Sequence, residues 1–414
     1  WRVGSRCAAR LVPKRGAVQL GVKRLSTDSK IRPAVTVFSE EEEVLRSTVA
    51  RWAQDVMAPH VREMDETQVL RPEILQGLFD QGFMGVEIPA EYNGANMSFT
   101  SSCIVIEELA KVDPGVSVIA DVQNTLLATS VRKFGTEEQK QKYLPKLATD
   151  TLGSFCLSET GSGSDAFALK TRATRTESGW VLNGTKCWIT NAMQAGWFLV
   201  FANINPEAGY RGITAFMVNG DNPGVIIGKK ENKLGIRASS TCEVSFVDCK
   251  VPQEDVLGQE GKGYMIAIQL LNEGRVGIAA QMLGLAEGAF NVAMPYLHER
   301  KQFGSRIADF QGMQFQYAQC AVDIECAKLL VYNATRLKEM GAPFVTEAAM
   351  AKLTASKVAE QTASLCVEWM GGLGFTKDFL AEKFFRDSKI GKIYEGTSNI
   401  QLQTIAKALS AQYK

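Results

Sequence analysis

The period of the hydrophobic pattern changes twice along this chain of 414 residues, and that restricts the fold more than any other feature. From Ser39 to about Asp150 the apolar residues recur at helical spacing. From roughly Leu152 to Gly263 they take the spacing of strands, and beyond Gly263 the helical period returns and persists. Helices, then a strand block, then helices imply an α+β chain with segregated layers, as opposed to the alternating βαβ order of a doubly wound sheet. The expected divisions are 36–151, helical; 152–263, β; and 264–414, helical.

Local signals refine this outline. Ser39-Glu-Glu-Glu42 and Thr136-Glu-Glu-Gln139 fit capping boxes, in which a hydroxyl and an acid or amide three residues later satisfy free N–H groups at a helix start. Behind the first, Val44, Leu45, Thr48, Val49, Trp52, Ala53 and Val56 fall on one face; the second opens a helix expected to stop near Pro145. Trp180 to Thr190 reads as a hairpin turning at Asn183-Gly184. Val276 to Pro295 is nearly uncharged, but Gly277, Gln281, Gly284, Gly288 and Asn291 interrupt it, so a helix buried in a bundle fits better than a membrane span. Glu347 to Cys366 lacks Gly and Pro and reads as helix.

Charge and reactive residues narrow the chemistry. Seven basic residues (Arg2, Arg6, Arg10, Lys14, Arg15, Lys23 and Arg24) precede the first acidic one, Asp28. This acid-free opening reads as an organellar presequence over 1–30, already under way at Trp1, the alternative being a basic tail that binds nothing. Setting those seven aside leaves 39 basic residues against 45 acidic, a balance that argues against nucleic-acid binding. The nine cysteines contain no C-x-x-C pair, which suits reduced, buried thiols in a matrix or cytosolic setting. With His60 and His298 the only histidines, a Ser-His-Asp triad or a His-rich metal site is hard to build, and acid–base chemistry falls to a carboxylate.

Three stretches could carry that chemistry, each with a plainer alternative. Gly161-Ser-Gly163-Ser164-Asp165 lacks the third glycine of a dinucleotide fingerprint; it is either a simple turn or a loop whose N–H groups cradle a pyrophosphate. Trp188-Ile189-Thr190 sets a flat aromatic beside a hydroxyl, suited to an isoalloxazine ring or to an ordinary core. Tyr394-Glu395-Gly396-Thr397 precedes a helix expected over Asn399 to Leu409. There an acid is favourable for the helix dipole alone, while Gly396 lets backbone approach a ligand and Tyr394 can exclude water.

Together with Arg300-Lys-Gln-Phe303-Gly304 and Glu368-Trp-Met-Gly-Gly372, these segments stand in the order seen in acyl-CoA dehydrogenases, and from about residue 36 onward the chain resembles that family. Leu271-Asn-Glu-Gly-Arg275 and Asn232 to Thr241 are most similar to its short/branched-chain members. The resemblance implies an N-terminal helical domain, a middle β-barrel or sandwich domain and a C-terminal four-helix bundle. It further implies non-covalent FAD, a homotetramer in the mitochondrial matrix, and electron transfer flavoprotein as redox partner.

By motif position it assigns flavin contacts to Phe155, Cys156, Leu157, Ser158, Glu159, Thr160, Gly161, Ser162, Gly163 and Ser164, and to Trp188, Ile189 and Thr190. The rest of FAD falls to Arg300, Phe303, Gln311, Glu368, Trp369, Met370, Gly371, Gly372, Thr397, Ser398 and Asn399, in part across a subunit interface. Acyl-CoA contacts fall to Ser164, Tyr210, Tyr264, Asn272, Glu273, Gly274, Arg275 and Tyr394. Glu395 matches the base that takes the α proton of a short or 2-methyl-branched acyl-CoA such as 2-methylbutyryl-CoA. Relatives that carry the base just before the central Arg have an acid where this chain has Gly274, which cannot serve. Reversal as an enoyl-CoA reductase, an oxidase, and a non-enzymatic scaffold stand as the alternatives.

Overall fold

The computed structural model describes residues 34–413; the presequence expected over 1–30 lies outside the described residues. The first helical group comprises α1 (Glu40–Trp52), α2 (Val61–Thr67), α3 (Pro72–Asp80), α4 (Phe99–Ala110), α5 (Pro114–Asp121), α6 (Thr129–Phe134) and α7 (Glu137–Thr149). Short π-helical turns at Ala53–Met57 and Val122–Ala128 interrupt it. Both capping boxes form: Ser39 Oγ accepts from Glu42 N at 3.2 Å while Ser39 N donates to Glu42 Oε2 at 2.9 Å, and Thr136 and Gln139 do the same.

Two expectations here need correction. The buried stripe of α1 is narrower than its spacing suggests, with Val44, Thr48 and Val56 exposed. Glu42 takes part of the inner face instead, pairing with Arg336 through two hydrogen bonds of 2.6 and 2.8 Å. Helix α7 also runs through Pro145 to Thr149. Pro costs an interior helix about 3 kcal/mol, but burying Leu144 and Leu147 offsets a loss of that size.

Eight strands follow: β1 (Leu152–Cys156), β2 (Arg172–Thr176), β3 (Gly179–Thr190), β4 (Ala195–Asn203), β5 (Ile213–Asn219), β6 (Val225–Lys230), β7 (Thr241–Pro252) and β8 (Val256–Leu257). They form one sheet in the order β6-β7-β3-β2-β4-β5-β8, with β1 beside β4. Strand β4 is buried on both faces. Trp197, Leu199 and Phe201 join the helical core, while Phe198, Val200 and Ala202 face the sheet's own core. Trp180 to Thr190 is one strand and not a hairpin. Gly184, at φ +153°, sits in a bulge against β7, and a Cβ there would lie 2.5 Å from Thr171 Oγ1.

The last group is α8 (Gly263–Glu299), a two-strand hairpin of β9 (Lys301–Gln302) and β10 (Ser305–Arg306), then α9 (Gln311–Glu339), α10 (Val345–Met370), α11 (Ala381–Ser388) and α12 (Ser398–Gln412). Helix α8 is long and apolar enough to cross a membrane, yet 78% of its most apolar window is buried. It packs against α10 on one side and α4 on the other. Gly284 makes the second contact possible, since a Cβ there would meet Glu107 O at 2.1 Å.

Candidate active site

Glu395 lies between a 3-10 turn, Lys389–Lys392, and α12, in left-handed backbone at φ +49°, and Gly396 follows at φ +84°. A side-chain-bearing residue adopts that geometry only when its surroundings hold it. Gln401 Nε2 donates to both Glu395 O (3.0 Å) and Gly396 O (2.9 Å), and Lys352 Nζ donates to Gly396 O at 2.7 Å. Thr397 caps α12 by accepting from Ile400 N.

This turn aims the Glu395 side chain at α8. The residue is half-buried, but its Oε2 is sealed from solvent and has no hydrogen-bond partner. A Cβ at Gly274 would stand 2.9 Å from that oxygen and 3.2 Å from Leu126 Cδ2, so the glycine's missing side chain is the room the carboxylate occupies. Burial pushes the Glu395 carboxyl up to about 7, against the opposing pull of Lys352 and then Arg275. One helical turn on, Gly277 leaves space for Asp121, whose Oδ1 would lie 1.9 Å from a Cβ there. Asp121 is also held well above the usual carboxylate range, by burial first and by Glu395 second. Its Oδ2 has no partner, and Oδ1 accepts from Thr125 Oγ1 at 3.2 Å.

Around this centre, Arg275 Nη1 donates to Asn272 Oδ1 at 3.0 Å, leaving its Nε buried and unpartnered; burial draws its pKa down. Tyr394 Oη hydrogen-bonds Gln281 Oε1. Tyr264 stacks edge-on with Tyr210 (centroids 4.9 Å apart) and with Phe167, an aromatic corner that includes the half-exposed Tyr210. Glu273 differs from the expectation: its carboxylate is buried between Lys133 and Lys338, so it is already engaged within the protein.

A second group collects on the sheet. Cys187 N donates to Ser158 O at 2.9 Å, which lays the segment after β1 beside the end of β3. Glu159 is held inward, accepting from Lys186 Nζ (2.9 Å), Lys170 N (2.7 Å) and both Thr171 N and Oγ1. That anchoring, with reciprocal bonds between Glu159 and Ser162, fixes a tight loop in which Gly161 and Gly163 face open space. Trp188 stands at φ +61° where the β3–β7 register shifts, and 66% of it is exposed, an apolar ring turned outward beside half-buried Thr190.

An open loop of N–H groups next to a bare aromatic face and a hydroxyl fits a flavin with its pyrophosphate. The side chains of Cys156, Leu157, Ile189, Trp369 and Met370, by contrast, point into the core, so only their backbone is available to a ligand. Phe155 packs its ring on Phe201 at 5.2 Å. Arg300, Phe303, Gln311, Glu368, Gly371, Gly372 and Asn399 are exposed, and Thr397 and Ser398 half-exposed.

Asp121 and Lys352 are the residues that sequence reasoning passed over. The pair Gly274 and Gly277, three apart on a helix, was the available signal that something bulky approaches α8 there.

Family models described as "Acyl-CoA dehydrogenase, N-terminal domain", "middle domain" and "C-terminal domain" match residues 39–151, 154–249 and 261–410. The mitochondrial short/branched chain specific acyl-CoA dehydrogenase of Rattus norvegicus is 58% identical over 376 residues, 91% of this chain and 87% of that protein. Butyryl-CoA dehydrogenase from Megasphaera elsdenii superposes with a TM-score of 0.89 at 38% identity, covering 90% of this chain and 99% of that one. A chain from the structure of the electron transferring flavoprotein of Acidaminococcus fermentans gives 0.89 at 40% identity, with coverage of 90% and 99%.

Proposed function

Because the chain belongs to the acyl-CoA dehydrogenase family, FAD-dependent oxidoreductases acting on the CH–CH group of acyl-CoA, we propose that it dehydrogenates short and 2-methyl-branched acyl-CoA with Glu395 as the base. The observation that carries this reading is the Glu395 carboxylate, sealed against Gly274 with one oxygen unpartnered and its pKa raised to about 7. An α proton of a thioester is poorly acidic, and a carboxylate lifted toward neutrality is a stronger base than one near its reference value of about 4.3. Leu126, packed at Gly274 beside the carboxylate, supports exclusion of water from it, and Arg275 and the Tyr210–Tyr264 corner are the residues that would orient the CoA ester. FAD, when bound, supplies the two-electron acceptor for the β hydrogen. Trp188, Thr190 and the 158–164 segment are the residues that would hold it.

Leu126 packs at Gly274 and Asp121 at Gly277, beside Glu395, and this crowding of α8 supports a short acyl group. The similarity to mitochondrial short/branched-chain relatives supports an α-methyl branch and a mitochondrial location. Likeness to a chain from an electron transferring flavoprotein structure supports such a carrier as acceptor. Phe303 and Phe375, 97% and 84% exposed on the C-terminal part, support a homo-oligomer that covers them.

The test is anaerobic addition of 2-methylbutyryl-CoA to the purified flavoprotein. Wild type should bleach its flavin band, and Glu395→Gln should retain FAD and bind the ester without bleaching. A near-native bleaching rate in the variant removes Glu395 from the role. A preference for straight C8 or longer chains removes the substrate class.

A further inference from the structure

Lys352 lies in the interior of α10, fully buried, where an ammonium is costly unless something uses its charge. Its Nζ donates at 2.7 Å to Gly396 O, the carbonyl directly after the base. With Gln401 Nε2 bonded to the carbonyls of both Glu395 and Gly396, side-chain donors clamp the two consecutive left-handed residues that aim the carboxylate.

The groups facing Glu395 come from several elements. Lys352 approaches from α10, Arg275 from α8, and Asp121 from the end of α5, with Tyr394 beside the base and bonded to Gln281. Of the two cations, Lys352 has the larger effect on the carboxyl, and Arg275 is already tied to Asn272. Burial draws the Lys352 ammonium down to about 8, partly countered by Glu395, so it still carries its charge at pH 7.

Resting on the reading of Glu395 as the base, we infer that Lys352 is a positioning residue for this reaction: its hydrogen bond fixes the turn that carries Glu395, and its ammonium favours the ionised carboxylate. A lysine that merely filled the core would move stability and leave the titration of Glu395 alone.

The experiment measures anaerobic flavin reduction by a short acyl-CoA between pH 5.5 and 9 in the FAD-loaded wild type and in Lys352→Gln, Lys352→Met and Glu395→Gln. Gln keeps a donor for Gly396 O without the charge; Met keeps neither. The acid limb should move up by about one pH unit in both lysine variants, so rates on that limb fall about tenfold. At pH 9 the Gln variant should approach wild type while Met stays below it. A wild-type acid limb in FAD-loaded Lys352→Gln overturns the inference, and that variant suffices if Lys352→Met does not fold. Flavin reduction by Glu395→Gln would instead overturn the base assignment itself, whatever the lysine variants do.

Discussion

Glu395 combines a left-handed backbone, a sealed oxygen and a raised pKa, and each has a cost that appears in the stability of the protein. The folded protein holds its proton up to about pH 7, whereas the unfolded chain releases it near the ordinary glutamate value of 4.5. Stability is therefore lost as pH rises from 4.5 through 7, and the loss is complete above 7. Glu395→Gln should raise Tm at pH 8 by about 2 °C or more and change it less at pH 5, as scanning calorimetry of the holoprotein would read. In wild type the rate of flavin reduction should fall tenfold per pH unit below about pH 7, because the protonated acid cannot accept a proton. Gly274→Ala puts a methyl 2.9 Å from Glu395 Oε2. It should lower kcat/KM on the order of 100-fold with little loss of Tm, since Ala favours a helix by about 1 kcal/mol over Gly. A variant with native kcat/KM would show that the carboxylate does not need this space.

Among the elements, α8 does most to build the site. Its glycines at 274 and 277 admit two acid side chains, and its glycine at 284 admits the backbone of α4. Gly284→Ala would push a methyl into Glu107 O, forcing α4 and α8 apart. A loss of about 1–3 kcal/mol in urea unfolding is expected despite the better helix propensity. Unchanged or higher stability would mean the two helices part freely. The π-helical turn Val122–Ala128 has a matching role, carrying Leu126 to Gly274 directly after Asp121. Caps and helical spacing were readable in the sequence because their partners lie within four residues, as at Ser39 and Thr136. The bulge at Gly184 and the passage of α7 through Pro145 were not, because the pairing with β7 and the burial of Leu144 and Leu147 come from distant chain.

Across the whole molecule, the three zones meet on one buried ion cluster. Lys383 of α11 donates to Asp113 Oδ1 (2.8 Å), at the cap of α5, and to Asp387 Oδ2 (2.6 Å), while Asp387 accepts from Ile236 N in the β zone. Removing the cation strands two carboxylates in the core. Lys383→Met should cost about 3–5 kcal/mol and shift the unfolding of all three zones together in a thermal scan. A loss confined to one zone would show that the cluster does not join them.

The order of helix, strand and helix and the helix starts follow from the amino-acid sequence by itself, since periodicity and capping are properties of neighbouring residues, while the candidate base came from the resemblance of its motif to a family. The sequence also excluded an acid at position 274, and the glycine there is what the carboxylate packs against. Only the tertiary structure brought Lys352 to the carbonyl after Glu395 and set Asp121 one turn along α8 from it. Neither placement leaves a local mark. A buried lysine in a helix is indistinguishable in sequence from an exposed one, and its effect on a carboxylate depends on a separation and a degree of burial that exist only after α5, α8 and α10 have packed together.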